Sequence, residues 1–522
     1  MTDTLLVWIT RALLIALGLG AFFQLLSWLR WARQERRERW TVLVGAGMVI
    51  LALVYALGHA RLLGNREEIE EGRMRYSRWG DARLAEQRWG EVRGWLLGCG
   101  GGDDDALASY ALREGMVERV YPLQEATANL IGTPEGERDY TVERLYASRL
   151  RETSGWSEEG RLHPAGTDLR LALCADASGR AWELLRQTGR QGALIALDVR
   201  TGEVVAYAAT GEPEDPPLGI QRYAAPGSVF KLALAALWWE LGLPDKTIPC
   251  PSEIRAGNRS ISNYQGRGYG SVEGPAGMLR ISCNTAAVSM ALEMRERFGV
   301  EPFEEHYPAF GFEVYSEEPP GDDDGFWRTT SERWRSRMTP PPARIRMSPE
   351  TSGFEWGLLG IGQGPVDVTV IHLARFLQAI GNGGVMLAPT LEWELARQAE
   401  KQTETETEPA GTRVMSPETS HRLQAAMLEV VRSGTARSVA DRLEGTGWSL
   451  GGKTGTAQVF RQADDGWFGS LLFDPSGQAR YAVIAYLVGG GPGGRQPAAA
   501  AAGLARSLVE RERAEGSEEE SP

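Results

Sequence analysis

Two long stretches without a charged side chain stand near the start of the chain and constrain its fold more than any other feature. One runs from Ala12 to Leu29 (ALLIALGLGAFFQLLSWL) and the other from Trp40 to Ala60 (WTVLVGAGMVILALVYALGHA). Each is close to the roughly 20 apolar residues that a bilayer-spanning helix needs. Between them lies RWARQERRERW, whose five arginines mark the cytoplasmic side under the positive-inside rule. The short N-terminus and everything after Ala60 are then expected outside the cytoplasm. The first stretch lacks a small-x-small cleavage site followed directly by polar sequence, so both read as anchors and not as a removed leader. One signal anchor plus a buried helix is the alternative.

The 522 residues, 42% of them hydrophobic, leave room for a large core and two or three domains. Acidic residues outnumber basic ones, 69 to 56, and no basic tract lies beyond the first forty residues, which excludes a nucleic-acid surface. Cys99, Cys174, Cys250 and Cys283 all fall in the external part, where disulfides form, but their spacing fits no CxxC metal site and leaves their pairing open. His59, His163, His306, His372 and His421 make no HExxH pattern. Neither a metal nor a cofactor is expected.

Composition divides the chain into four regions. Residues 1–62 hold the two apolar segments, and the charged, arginine-rich stretch 63–165, broken by CGGGDDDAL, reads as a small N-terminal non-catalytic module. Residues 166–512 read as one globular α+β domain. It opens with GALIALDVRTGEVVAYAAT, two apolar runs around a turn, and closes with three strand-like runs, WSLGGKTGTAQVF, GWFGSLLF and ARYAVIAYLVGG, before an alanine-rich helix. The stretch 305–350, rich in proline and acid, reads as an inserted loop region, and 513–522 as an acidic disordered tail.

Lysine is scarce here: only Lys231, Lys246, Lys401 and Lys453 occur among the 56 basic residues. Unlike arginine, a lysine can shed its proton when its surroundings disfavour charge. Two of the four sit in short motifs that occur in order: Ser228-Val-Phe-Lys231, Ser282-Cys-Asn284 and Lys453-Thr-Gly-Thr456. Taken alone, Ser228 or Ser282 reads equally well as a helix cap. Together the three have the order and spacing of a serine acyl-transfer signature. If a helix starts near Ser228, that hydroxyl and the Lys231 ammonium share a face. Serine is a poor nucleophile until a base takes its proton, and Lys231 can be that base only with its pKa lowered by about 3 units. Burial and a second cation, for which Lys453 is the candidate, would both lower it.

These motifs, with RVYPLQEATANLIG (119–132), GIGQGPVDVTVIHLARFLQAIGNGG (360–384), VVRSGTA (430–436) and GWFGSLL (466–472), make the chain resemble the class B, monofunctional penicillin-binding proteins over residues 118–490. The resemblance implies a transpeptidase domain with a five-stranded antiparallel sheet flanked by helices. It implies D,D-transpeptidation of peptidoglycan stem peptides through a Ser228 acyl-enzyme, which β-lactams would also acylate. Lys231 is then the base, Ser282 the proton relay and Asn284 a holder of Lys231 and of substrate. Lys453 supplies charge, Thr454, Gly455 and Thr456 line the substrate strand, and the backbone N–H groups of Ser228 and Thr456 form the oxyanion hole. A membrane glycosyltransferase of the shape, elongation, division and sporulation group is the implied partner, and the cell membrane, with the catalytic domain outside the cytoplasm, the implied location. The alternatives are a D,D-carboxypeptidase, a serine β-lactamase, or a non-enzymatic β-lactam sensor or scaffold. Against a class A β-lactamase, the position four residues before Asn382, where that class carries glutamate, is Gln378.

Overall fold

The computed structural model describes Ser27 and residues 93–113, 116–133, 141–151, 166–211, 218–316, 343–393, 411–459, 461–491 and 494–519. Apart from Ser27, both expected membrane helices and the arginine-rich loop lie outside the described residues. Among the described residues no helix is long and apolar enough to cross a membrane.

The chain divides into two units. One combines Met1–Gly90, Leu112–Val117 and Thr153–Pro164, almost all of it outside the described residues, and the other combines Glu91–Ala111, Glu118–Glu152 and Ala165–Pro522. Segments 91–111 and 118–152 therefore belong with the large domain, and not with a separate module that ends at residue 165. The reason is pairing and covalent linkage across that boundary. Strand β1 (Leu96–Leu97) pairs antiparallel with β2 (Ala106–Arg113) and parallel with β4 (Leu169–Arg170), and β3 (Met116–Val120) completes the four-stranded sheet. A disulfide joins Cys99 to Cys174. Beside this sheet the fully buried Glu143 carboxylate takes ion pairs from Arg93 and Arg119, an arrangement that satisfies an otherwise costly buried charge.

The expected hairpin forms β5 (Gly192–Asp198) and β6 (Val204–Ala209), antiparallel, with Ala193 opposite Ala209. Every residue of both strands is buried, as continuous apolar runs require when both faces of a sheet are covered. Strand β7 (Thr247–Cys250) pairs with β10 (Gly270–Glu273), and between them in sequence lies the hairpin of β8 (Glu253–Ala256) and β9 (Arg259–Ser262). Smaller pairings join β11 (Phe312–Tyr315), β12 (Ala343–Arg346) and β13 (Val366–Asp367), and β14 (Val385–Met386) with β15 (Thr412–Arg413). The region 305–350 is thus not simply a loop. A helix covers Glu301–Ala309 and two strands come after it, because Phe303, Tyr307, Phe310 and Phe312 are buried and their rings pack edge-on or tilted against Phe230, Trp356 and Phe376.

The three terminal runs form β16 (Ser449–Ala457), β17 (Asp465–Phe473) and β18 (Ala479–Leu487), sequential and antiparallel. Strand β18 pairs with β5, giving a five-stranded antiparallel sheet in the order β16-β17-β18-β5-β6 with β16 at an edge. Among the described residues, the helices framing this sheet and the lobe beside it include α1 (Ala175–Thr188), α2 (Lys231–Glu240), α3 (Gly274–Ile281), α4 (Asn284–Phe298), α5 (Val370–Gly381), α6 (Pro417–Ser433) and α7 (Arg495–Glu519). Helices α1 and α7 pack together and on the sheet, as do α5 and α6, while α2 sits among α3, α4 and α6. Helix α7 continues to Glu519, past residue 512 where the disordered tail was expected. An Arg511–Glu515 ion pair at i,i+4 supports the extra turns.

Candidate active site

Helix α2 (KLALAALWWE) is apolar on every side and buried from Lys231 to Trp239, as a helix through the centre of a lobe must be. Lys231 is its first residue. A 3-10 turn, Gly227–Phe230, leads directly into it and carries the half-buried Ser228 one turn ahead of the lysine. The turn is wedged in place. Gly227 has φ +53°, and a Cβ there would lie 2.3 Å from the Thr456 carbonyl oxygen on β16. Only glycine combines that backbone with that approach. The Gly227 N–H donates to the Gly362 carbonyl at 2.9 Å, Gln363 Nε2 donates to the Thr456 carbonyl at 3.3 Å, and Trp467 Nε1 donates to the Ala225 carbonyl at 3.0 Å.

Ser282, Cys283 and Asn284 form the corner between α3 and α4. Ser282 adopts a left-handed conformation, φ +58°, one of three non-glycine residues to do so among the described residues. Such backbone costs about 1–3 kcal/mol and persists only where its surroundings over-determine it. Here they do. A disulfide ties Cys283 to Cys250 at the end of β7, and the Cys283 sulfur caps α4 by accepting from Ala286 N.

The corner meets both lysines. Lys231 Nζ donates to the Ser282 carbonyl at 2.8 Å and to Asn284 Oδ1 at 2.7 Å, and lies 3.4 Å from Ser282 Oγ. From β16, Lys453 Nζ donates to the same Ser282 Oγ at 2.9 Å and to the Thr454 carbonyl at 2.8 Å. Both side chains are fully buried. Burial, and then repulsion from Lys453, hold the Lys231 pKa well below the usual lysine value, and its place at a helix N-terminus acts in the same direction. Burial alone lowers Lys453 to about 7. Burial thus works against the charge that Lys453 is expected to supply.

The structure thus brings Lys231, Ser282, Asn284 and Lys453 into one hydrogen-bonded group, with Ser228 on the turn beside it. Strand β16 carries the remaining expected residues. Thr454 is buried with its hydroxyl 2.7 Å from that of Thr435, Gly455 packs where a Cβ would meet Val229 and Trp467, and Thr456 is half-buried. Gln378 is a core residue: Nε2 donates to the Val199 carbonyl at 2.7 Å and Oε1 accepts from Leu387 N at 3.0 Å.

Sequence reading missed Gly227, Gly362, Gln363, Thr435, Asn263 and the role of the cysteines. Gly362, Gln363 and Thr435 lay in stretches singled out as GIGQG and RSGTA, but nothing in those letters says which strand they face.

A serine on a 3-10 turn, a lysine that opens the helix after it, and an edge strand that supplies a second lysine stand together at this site. Residues 192–510 match the penicillin binding protein transpeptidase domain, and the chain belongs to that family. It is similar to the penicillin-binding protein PbpB of Mycolicibacterium smegmatis, with 27% identity over 60% of this chain and 47% of that protein. It is also similar to the peptidoglycan D,D-transpeptidase MrdA of Acinetobacter baumannii, with 25% identity over 64% of this chain and 52% of that one. The chain thus spans about half the length of the relatives it matches. Its fold is that of the D,D-transpeptidase domain of a peptidoglycan glycosyltransferase from Eggerthella lenta (TM-score 0.61, 23% identity, 80% of this chain and 98% of that one). It is equally that of penicillin-binding protein A from M. tuberculosis, solved as an imipenem acyl-enzyme (TM-score 0.62, 20% identity, 81% and 99%).

Proposed function

We propose that the protein is a peptidoglycan D,D-transpeptidase and a target of β-lactams. The observation that carries this reading is the Ser282 hydroxyl held within hydrogen-bond reach of both Lys231 and Lys453 beside the serine-bearing turn. Neutral Lys231 takes the Ser228 proton as the hydroxyl attacks the carbonyl of a D-Ala-D-Ala stem peptide. Collapse of the intermediate breaks the peptide bond, and Ser282 passes its proton to the departing D-alanine nitrogen while taking one from the Lys231 ammonium, which returns to its neutral form. An amine from a neighbouring stem then attacks the ester, forms the cross-link and returns the proton to Ser228. The backbone N–H groups of Ser228 and Thr456 receive the developing oxyanion. A donor in such a position is typically worth about 100- to 1000-fold in rate. Thr454 and Thr456 bond the terminal carboxylate, and the substrate lies along edge strand β16 as an added strand.

Hydrolysis is less well supported, since Gln378 is bound into the core by three of its neighbours' backbone groups and offers no carboxylate to activate water. Anchoring by the two apolar segments, with this domain outside the cytoplasm, fits the oxidised cysteine pairs. A membrane glycosyltransferase would supply the glycan.

Labelling with a fluorescent penicillin tests the reading. The wild type should label stoichiometrically and hold the label for hours, and Ser228→Ala should not label at all. Labelling of Ser228→Ala would overturn the nucleophile, and release within seconds would favour a hydrolase. A carboxypeptidase would release D-alanine without forming dimers when given an acceptor amine.

A further inference from the structure

Asn263 lies outside the three motifs, on the loop after β9, yet its side chain is only 4% exposed and every polar position on it is used. Its Oδ1 accepts from the backbone N–H of Asn284 at 2.7 Å and of Thr285 at 3.1 Å. Its Nδ2 donates to the Pro251 carbonyl at 2.7 Å and the Arg267 carbonyl at 3.0 Å. The neighbouring Ser262 carbonyl accepts from Asn284 Nδ2 at 3.1 Å. That last bond commits the nitrogen end of the Asn284 amide and turns its oxygen toward Lys231. On the other side of Asn263, the Cys250–Cys283 bridge fixes the first turn of α4 to β7, with both cysteines buried.

We propose that Asn263, braced by the Cys250–Cys283 disulfide, is a positioning residue for acylation: it fixes where Asn284 stands and so how Asn284 Oδ1 meets Lys231. The inference rests on the transpeptidase reading, and it extends the site to a loop that carries none of its motifs. The amide oxygen accepts a hydrogen bond from Lys231 Nζ, which favours the ammonium, while burial and the facing Lys453 of β16 disfavour it. The other groups facing Nζ, the Ser282 hydroxyl and carbonyl, are neutral. A displaced Asn284 would leave Lys231 with one acceptor fewer and the reacting groups out of line.

The test uses the full chain and the rate of acylation by a fluorescent penicillin, followed from pH 5 to 9 at a temperature well below each variant's unfolding midpoint. Asn263→Ala should acylate on the order of 10- to 100-fold more slowly, the loss expected of a small misplacement. The acid limb of its pH profile should also move to lower pH. Asn263→Asp keeps the acceptor for both N–H groups but loses the donor to the Pro251 and Arg267 carbonyls, and should recover part of the rate. A Cys250→Ala/Cys283→Ala protein should behave like Asn263→Ala, with the same displaced limb. A wild-type rate and profile in Asn263→Ala would overturn the proposal. So would a slower rate with an unmoved acid limb and no rescue by aspartate, the pattern of general structural damage. Ser228→Ala, run alongside, separates this outcome from failure of the transpeptidase reading, because only that failure would leave the serine variant labelled.

Discussion

Lys231 and Lys453 share one hydroxyl. Their ammonium nitrogens lie 3.4 and 2.9 Å from Ser282 Oγ, and neither side chain reaches solvent. Two lysines so placed cannot both hold full charge comfortably, and the one that yields sets how the site responds to pH and to substitution.

Lys231→Arg keeps a positive charge in the same place but cannot accept a proton near neutral pH. Acylation by fluorescent penicillin should fall by about 100- to 10,000-fold, the usual contribution of a positioned base. Near-normal labelling would remove Lys231 from that role.

Stability should depend on pH through Lys453. The folded protein releases this proton near 7 and an ordinary lysine near 10.5, so between these values the unfolded chain holds a proton the folded one lacks. Stability therefore rises with pH across that window, by up to about 1.4 kcal/mol per pH unit for this group. Below about 7 both states are protonated and the slope disappears. Urea unfolding at pH 7, 8 and 9 should show a shallower rise in Lys453→Met than in the wild type, and equal slopes would refute the assignment.

A bound carboxylate should restore the Lys453 charge, because an opposite charge nearby favours the ammonium. Benzylpenicillin or a D-Ala-D-Ala peptide binding to Ser228→Ala at pH 8 should take up a proton. Calorimetry in two buffers of different ionisation enthalpy measures that uptake, which should be absent when Lys453→Met is added.

Gly227→Ala places a Cβ against the Thr456 carbonyl in a backbone conformation that L side chains avoid. The left-handed backbone alone costs roughly 1–2 kcal/mol, and the clash must be relieved by moving the serine turn away from β16. Both the unfolding midpoint and the acylation rate should drop, whereas an intact rate would show that the turn does not need that contact.

Glu143→Leu leaves Arg93 and Arg119 buried without their carboxylate. Loss of one partner of a buried charge cluster typically costs about 3–5 kcal/mol. Denaturant unfolding should show that loss, while acylation of the remaining folded protein should be unchanged.

Much of this architecture is legible in the chain itself. Runs such as ARYAVIAYL and GALIALD, apolar without alternation, already say that the strands are covered on both faces, and the glycine turns between them set an antiparallel order. The helix 301–309 was not legible, because Pro302 and Pro308 hide a helix whose reason to form is the burial of Phe303 and Tyr307.

The sequence by itself determined which residues are candidates for the chemistry: a rare lysine three positions after Ser228, a second lysine on a glycine-rich strand, and a serine and asparagine between them. Those letters have local meaning, since the chemistry of each side chain and the helical or extended spacing of its neighbours travel with the sequence. Only the tertiary structure decided that Lys453 also sits in the dry interior and is held near 7, that Cys283 is tied to Cys250, and that Asn263 stands behind Asn284. These depend on contacts between segments far apart in the chain. Burial and desolvation are properties of the assembled core, and no stretch of residues carries them alone.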